Sequence, residues 1–380
     1  MKKIFPLLIM ASLVACSSSN DEGAPSDPTD DMSGGDGGSV AITVDFDVAI
    51  MARDDDFNYY QIEIEDGSTL LAAEEILLSI EDNSSFYQRL ENDTYLAYSP
   101  FNYPDYKVGR HNILNGADNT YVDFIDPNLP EVGHDIFPGR DHIVTFYSLP
   151  DGNNSLNQYF NLYTIATGNY EQVLITDEEL ALVRHIQNGW LTTSYIDSQS
   201  QFYLRFHNLN NTNQQYTIGP VNNFLTSTQN NAKLYLFGNN DYRILDLTTG
   251  VLGSAITTAQ SIWAQSVFRS QFVGDKMYYD QLLVQPSAFR SAPAIFNFST
   301  GTSTIFDIGQ FKADWWISSG NQILNDGLAV TQSSDEIIVL AFSFRNANNV
   351  DKFGVLFVTY DAEVISFLEI PHRPLEVIIK

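Results

Sequence analysis

The sequence predicts an all-β protein built as a β-propeller, most simply with seven four-stranded blades, and three observations support this architecture. Short β-rich runs alternate with turns of Asn, Asp and Gly, which tolerate positive φ in tight hairpins. Residues 223–257 show the unit most plainly, with runs separated by Asn230-Asn231, a polar bend at 239–241 and Thr249-Gly250. The unit recurs along 58–369 without long helical patterns. Four short antiparallel strands in about 40–45 residues make one propeller blade.

Two sets of turns give the blade count. The turns between third and fourth strands are predicted at Asp66-Gly67, Asn115-Gly116, Thr167-Gly168, Asn210-Asn211, Thr249-Gly250, Thr300-Gly301 and Asp361-Ala362. The turns between first and second strands are predicted at Asn92-Asp93, Gly139-Arg140-Asp141, Asn188-Gly189, Asn230-Asn231, Gly274-Asp275 and Ser334-Asp335. The second set lacks a member in the first blade, so that blade needs one strand from elsewhere.

The two ends of the propeller supply the missing strand. Residues 41–50, 59–64 and 70–78 read as the second to fourth strands of the first blade, and 375–380 remain as a spare strand. Pairing 375–380 with 41–50 closes the ring and removes open sheet edges. Six or eight blades are the alternatives if a strand is miscounted, above all in 309–335.

Composition indicates a large folded body and argues against some partners. The 380 residues are 44% hydrophobic and 13% aromatic, with a formal net charge of −28. The aromatic content suits strands packed face to face and excludes disorder for the body. The negative charge repels phosphate backbones, so nucleic acid is not expected as a partner.

The first sixteen residues carry a targeting pattern. Lys2 and Lys3 precede an apolar run too short to span a membrane, which ends in Leu13-Val14-Ala15-Cys16. This resembles the lipobox of bacterial lipoproteins, which implies that 1–15 are a removable signal peptide and that Cys16 is lipidated. Cys16 is the only cysteine, so disulfides are excluded. Residues 16–39 read as a flexible acidic tether, and 40–380 as one propeller domain.

The resemblance also implies a location. Ser17 after the cysteine resembles Gram-negative lipoproteins that are released to the outer membrane, and Asp21-Glu22 resemble the acidic signals of surface-exported ones. The membrane is therefore an expected partner through the lipid on Cys16. Display at the cell surface is favoured, and the periplasmic face is the alternative.

Family signatures and catalytic motifs give no activity. No Trp-Asp repeat, kelch-type Gly-Gly pair or Ser-x-Asp-x-Gly-x-Thr-Trp box recurs, so no propeller family with an inherited site is indicated. There is no His-Glu-x-x-His, no Gly-x-Ser-x-Gly and no phosphate-binding glycine loop. We expect no cofactor and no metal, and we interpret Asp54-Asp55-Asp56 as a solvated loop tip.

Candidate binding residues follow from the two faces of a propeller. We call loop face the one that collects the second-to-third-strand loops and the segments entering each inner strand, and turn face the opposite one. Trp263, Trp315 and Trp316 are predicted at the starts of inner strands on the loop face, where flat rings can stack on sugars or side chains. The alternative is that each Trp packs between sheets.

A second set of candidates suggests chemistry. His134, Arg184 and His185 are predicted in entering segments, where a His base and an Arg clamp suit proton abstraction from an acidic sugar. Some polysaccharide lyases use propellers in this way. Arg140 is predicted on the turn face, away from this set, and structural histidines are the simpler interpretation.

These observations lead to three functional hypotheses. The first is a non-enzymatic, outer-membrane-anchored propeller that binds a glycan or an envelope protein through its loop face. The second is a polysaccharide lyase or hydrolase, and the third is a structural scaffold of an envelope complex.

Overall fold

A computed structural model gives the fold of this chain. It describes residues 42–76, 86–89, 95–99, 106–129, 135–150, 156–176, 179–187, 189–197, 199–220, 226–264, 270–283, 291–324 and 328–380. Residues Ile42–Lys380 form one compact unit. All described strands pair antiparallel with their sheet neighbours, and they form seven sheets arranged as the blades of a β-propeller. The predicted fold class is confirmed.

Each blade is built from consecutive strands. Blade 1 contains β1 (Val48–Arg53), β2 (Tyr59–Glu65), β3 (Thr69–Leu70) and β4 (Glu74–Ile76). Blade 2 contains β5 (Phe86–Arg89), β6 (Tyr95–Ser99), β7 (Val108–Asn112) and β8 (Asp118–Tyr121). Blade 3 contains β9 (Asp135–Pro138), β10 (His142–Pro150), β11 (Leu156–Thr164) and β12 (Asn169–Thr176). Blade 4 contains β13 (Glu179–Gln187), β14 (Trp190–Ile196), β15 (Phe202–Asn208) and β16 (Gln215–Ile218).

The other three blades follow the same order. Blade 5 contains β17 (Thr226–Asn230), β18 (Lys233–Phe237), β19 (Asp241–Asp246) and β20 (Ile256–Thr257). Blade 6 contains β21 (Gln271–Val273), β22 (Lys276–Leu282), β23 (Ser291–Asn297) and β24 (Thr302–Ile305), and is followed by helix α1 (Ile308–Ser319). Blade 7 contains β25 (Gln322–Ile323), β26 (Leu328–Gln332), β27 (Ile337–Arg345), β28 (Asp351–Thr359) and β29 (Val364–Ile370), and β30 (Arg373–Ile379) follows.

The ring closes as the sequence predicts. Strand β30 pairs antiparallel with β1, with Val48 opposite Ile379 and Ile50 opposite Val377. The amide of Lys380 also donates to the carbonyl of Asp47 at 2.9 Å. Strand β30 is thus the inner strand of blade 1, whose order is β30-β1-β2-β3 with β4 also on β2. The sheet edge that blade 1 would otherwise expose is paired.

Turn chemistry sets the hairpins. All seven predicted third-to-fourth-strand turns are confirmed, and five of them carry a glycine with φ between 59° and 71°. In the seventh, Ala362 takes the same conformation with φ of 67°. Five of the six predicted first-to-second-strand turns also connect the expected strands. The sixth, Asn92-Asp93, lies outside the described residues, as does Asn188.

Alternation of side chains fills the interfaces between blades. On β27, Ile337, Val339 and Ala341 pack against blade 1, whereas Ile338 and Leu340 pack on the opposite side beside Phe306 and Phe311. A strand buried on both faces has apolar residues at successive positions, because its side chains point alternately to opposite faces. Seven apolar clusters result, which fill the spaces between neighbouring blades.

The segment 309–335 differs from prediction. It holds helix α1 and a first strand split into β25 and β26, both paired to β27. The helix begins where the carboxylate of Asp307 accepts from the amide of Gln310 at 2.9 Å. It ends at Gly320, whose φ is 74° and whose amide donates to Trp316. These are an N-cap and a left-handed C-cap, and they outweigh the β propensity of the aromatic run between them.

Candidate functional site

The predicted tryptophans all lie on or near the loop face, in two different settings. Trp263 precedes the Ala264–Gln281 bridge, which extends the inner side of blade 6, and its ring is 41% exposed. Trp315 and Trp316 lie on α1, so their predicted placement at the start of an inner strand was wrong. Trp315 packs in the blade 7 cluster, 5.5 Å from Phe367, and its indole N–H has no hydrogen-bond partner. Trp316 is 52% exposed.

The structure does not place Arg184 and His185 in the segment that leads into an inner strand, where the sequence predicts them. Arg184 and His185 lie within β13, opposite Thr193 and Thr192 of β14, close to the end of the strand that leads to the turn face. Their predicted position was wrong because β13 already begins at Glu179. His134 lies outside the described residues. The described part of the chain therefore gives no His–Arg set on the loop face to support lyase chemistry.

Three loops of the loop face share one internal structure that sequence inspection overlooked. Residues 54–58 of blade 1, 197–201 of blade 4 and 346–350 of blade 7 each open with Asp or Asn. In each loop the first side chain accepts from the amides two and four residues later, at 2.8–3.0 Å. The fourth residue has positive φ, 66° in the first, 61° in the second and 59° in the third. These loops are therefore fixed by their own hydrogen bonds.

Phe57 occupies the positive-φ position of the first loop, where the other two loops have Ser200 and Asn349. The left-handed region suits Asn well and is a genuine outlier for a bulky side chain. The Phe57 ring is nevertheless 45% exposed, and the Arg53 guanidinium lies 4.6 Å from its centre. Its backbone strain and its exposure make Phe57 a candidate binding residue.

The loop face of blades 6, 7 and 1 carries a group of exposed apolar side chains that we call the apolar sector. Its members are Phe57, Trp263, Trp316, Ile317 and Val350, and they are 41–83% exposed. Ile317, next to Trp316 on α1, is the most exposed of them at 83%. Exposed apolar side chains grouped on one face of a protein are candidates for an interaction site. Since three blades share the sector, it lies on one side of the ring.

A separate cavity of about 550 Å³ lies between blades 1 and 2 on the turn face. Six carboxylates line it, together with His111 and Lys380: Asp47, Glu63, Glu65, Glu74, Glu75 and Asp118. Lys380 Nζ forms an ion pair with Glu63 at 2.7 Å. The surplus of carboxylates makes this acidic cleft electrostatically favourable for cations. Within the described residues, no three His, Cys, Asp or Glu side chains are placed to hold a metal ion.

His111 forms the inner wall of the acidic cleft and connects the two blades. Its Nδ1 lies 2.9 Å from Asp118 Oδ1 and its Nε2 lies 2.6 Å from Gln61 Oε1, while the ring is 1% exposed. The orientation of the Gln61 side-chain amide is unambiguous, because its nitrogen faces two acceptors, the carboxylate of Glu63 and the carbonyl of Ile113. Both ring nitrogens therefore face polar atoms of neighbouring side chains, and these two contacts hold the ring between blades 1 and 2.

The Asp54-Asp55-Asp56 segment forms a loop tip, as the sequence predicts. Asp54 accepts from the amides of Asp56 and Asn58, from the side chain of Asn58 and from the hydroxyl of Tyr60. These hydrogen bonds lower the pKa of Asp54, with the side-chain bond from Asn58 as the main cause. Asp55 and Asp56 are exposed. The first carboxylate therefore holds the loop and the other two face solvent.

Comparison with known proteins finds distant structural similarities and no family. No protein-family model matches the chain, and no characterised protein matches it in sequence. Among solved structures, TolB from Acinetobacter baumannii is similar with a TM-score of 0.39 and 10% identity over 88% of this chain and 67% of that one. The WD40 domain of SCAP from fission yeast is similar with a TM-score of 0.40 and 8% identity over 87% and 89%. An apocarotenoid oxygenase from Synechocystis is similar with a TM-score of 0.46 and 10% identity, over 90% of this chain and 94% of that one.

Within the described residues, no helix combines the length and the apolar character needed to cross a bilayer.

Two signals could have identified the apolar sector in advance. The first is the five-residue loop that opens with Asp or Asn, which occurs at 54–58, 197–201 and 346–350. When the three loops are aligned, Phe57 occupies the position of Ser200 and Asn349. The second is Asp307 followed by Gly320, which encloses a helix of about three turns.

Proposed function

We propose that this protein is a lipid-anchored, non-enzymatic propeller that binds an envelope protein through the apolar sector of its loop face. The observation that carries the proposal is Phe57, a bulky residue held at φ of 66° with 45% of its surface exposed. Left-handed backbone costs such a residue about 1–2 kcal/mol, and the exposed 45% of its surface gains no burial energy. Binding to a partner supplies the burial that the free protein lacks.

The composition of the sector favours a protein over a glycan. Ile317 and Val350 are 83% and 50% exposed, and aliphatic side chains neither stack on sugar rings nor hydrogen-bond to hydroxyls. Protein interfaces are enriched in aromatic residues and use apolar anchors in their centre. The net charge of −28 further favours a partner whose contact surface is basic around an apolar centre.

The course of the chain is compatible with a lipid anchor at Cys16. Residues 42–47 enter the propeller on the turn face, where Val44 lies directly under Gly67 of the first blade's turn. Outer-membrane placement remains part of the proposal, and it rests on the lipobox and on Ser17.

Binding can be tested by site-specific photo-crosslinking in intact cells. A photoreactive amino acid replaces Ile317 in one variant and Val251 in the other; Val251 is 63% exposed and adjoins the Thr249-Gly250 turn of blade 5. We expect a discrete protein adduct from position 317 and none from position 251. The adduct should weaken with Trp316→Ala and with Phe57→Asn.

Phe57→Asn gives the decisive control, because it should separate stability from binding. Asn suits the left-handed region, so this variant should be about 1 kcal/mol more stable than the wild type while it binds less. Adducts of equal yield at 317 and 251 would reject the apolar sector as an interface. Binding to a glycan array that is lost in Trp316→Ala would favour a carbohydrate ligand instead. Labelling with radioactive palmitate, compared with Cys16→Ser, tests the anchor.

A further inference from the structure

Three buried polar side chains between blades 2 and 3 carry atoms that have no hydrogen-bond partner. Arg110 on β7 is 7% exposed, and Thr145 on β10 and Asn161 on β11 are 0% exposed. Arg110 Nε, Thr145 Oγ1 and both amide atoms of Asn161 make no hydrogen bond. A native protein leaves few such groups unsatisfied, since each costs free energy when removed from water. Four such atoms in one interface require an explanation.

Strand alternation places the three side chains on facing surfaces. Val108 of β7 lies in one apolar cluster with Ile143 of β10 and Tyr163 of β11. Arg110 shares the face of Val108, because it lies two residues further along β7. For the same reason, Thr145 shares the face of Ile143.

The third member lies beside the second. Asn161 shares the face of Tyr163 on β11, and it is directly opposite Thr145 in the register of β10 and β11. Arg110, Thr145 and Asn161 therefore belong to the same interface between blades 2 and 3.

Arg110 makes this interface electrostatically unusual. Its guanidinium lies 4.8 Å from the centre of the Tyr95 ring, and among the described residues no carboxylate forms an ion pair with it. A guanidinium does not lose its proton in a protein, so it cannot escape the cost of burial by becoming neutral. The chain has 47 acidic residues and 19 basic ones, so a buried cation that has no ion pair among the described residues is all the more notable.

We propose that this interface binds a small monovalent anion, a halide or a carboxylate, on Arg110, Thr145 and Asn161. The Nε–H of Arg110 and its adjacent terminal N–H form a fork that matches an anion. The hydroxyl of Thr145 and the amide N–H groups of Asn161 are further donors with no other use. The anion compensates the buried charge and links the second blade to the third. This site is independent of the apolar sector.

Thermal denaturation of the full chain tests the proposal. Melting is compared in sodium chloride, sodium acetate and sodium gluconate at equal ionic strength, with gluconate as a much larger anion. We expect Tm in chloride or acetate to exceed that in gluconate by roughly 2 °C at a tenfold excess over Kd. A larger Tm increase in chloride than in acetate indicates a halide site, and the reverse indicates a carboxylate site.

Matched variants separate binding from general salt effects. Arg110→Met should abolish the difference between salts, whereas Arg345→Met should keep it, because Arg345 is exposed and paired with Asp351 at 2.7 Å. Thr145→Val should reduce the difference while leaving the cation in place, which covers the case in which Arg110→Met fails to fold. Equal responses of wild type and Arg110→Met would overturn the proposal.

Crystals grown in sodium bromide give an independent readout. An anomalous peak beside the Arg110 guanidinium supports an anion site. Ordered water alone at that position, together with a Tm that does not depend on the anion, would overturn it.

Discussion

Individual residues in this propeller show how burial changes side-chain chemistry. His207 on β15 is 1% exposed, neither ring nitrogen has a partner, and its ring lies 5.2 Å from that of Phe160 in the neighbouring blade. Burial, with a smaller contribution from Arg205, lowers the pKa of His207 to about 4. The neutral ring therefore acts as an apolar group between blades 3 and 4.

We expect His207 to make the protein sensitive to acid. The unfolded chain binds a proton near the ordinary histidine pKa of about 6.5, whereas the folded protein binds it only near 4. Stability contributed by the neutral ring is present above pH 6.5 and is lost as pH falls from 6.5 to 4. The loss amounts to about 3 kcal/mol. Urea unfolding at a series of pH values measures it.

His207→Leu is the comparison for this experiment. Its stability should fall less than that of the wild type between pH 6.5 and 4, because the titrating group is gone. Parallel pH profiles for the two proteins would contradict the assignment.

Residue identity was only partly informative about the candidate site. Trp263 and Trp316 are exposed near the loop face as a binding role requires, but Trp315, adjacent in sequence, is packed against Phe367. Two neighbours on a helix point about 100° apart, so one can face the core and the other solvent. Because the sequence suggested a strand start there, this difference could not be foreseen.

At the scale of elements, the hairpin turns show how strongly local chemistry sets the fold. Gly116 and Gly250 occupy the same turn in blades 2 and 5, with φ of 69° and 71°. A Cβ on Gly116 would meet nothing within 4 Å, whereas a Cβ on Gly250 would lie 2.3 Å from the Tyr216 ring of the neighbouring blade. The two glycines therefore separate the cost of backbone strain from the cost of overlap.

Alanine at each position should reveal this separation. Gly116→Ala should destabilise the protein by about 1 kcal/mol through the left-handed backbone alone. Gly250→Ala should lower the free energy of unfolding by roughly a further 1–3 kcal/mol, because Tyr216 must move. Guanidinium denaturation of both variants gives the comparison. Equal losses would show that Tyr216 moves aside without cost.

Elements were predictable where their signals are local. The turns at Thr167-Gly168 and Thr300-Gly301 were found because only a few residue types accept positive φ without strain. Helix α1 was missed, because its capping residues are thirteen positions apart and the aromatic run between them favours a strand. A propensity-based expectation fails when caps and packing favour another structure.

For the whole molecule, closure through β30 is the feature on which the ring depends. Val377 is 0% exposed and lies opposite Ile50 of β1, so it is buried within the sheet that joins the two ends of the propeller. Val364, at the start of the outer strand β29, is 38% exposed. Substitutions at these two valines therefore compare the closing strand with an outer strand.

We expect Val377→Asp to cost about 4 kcal/mol or more, because it buries a carboxylate without a partner. Val364→Asp should change stability by less than about 1 kcal/mol. Denaturant unfolding followed by tyrosine fluorescence measures both, and size-exclusion chromatography reports whether the ring has opened. A Val377→Asp protein that unfolds like the wild type would show that the ring holds together without β30.

The sequence by itself determined the number of blades, the strand that closes them and nearly every hairpin. Turn residues and alternating apolar positions act over a few residues, so they can be read without knowing the rest of the fold. Tertiary structure alone decided which side chains meet, as with His111 and Gln61, which are 50 residues apart in the chain and hydrogen-bonded between blades. Exposure of Phe57 and burial of Arg110 were decided in the same way, because both depend on what neighbouring loops and blades leave uncovered.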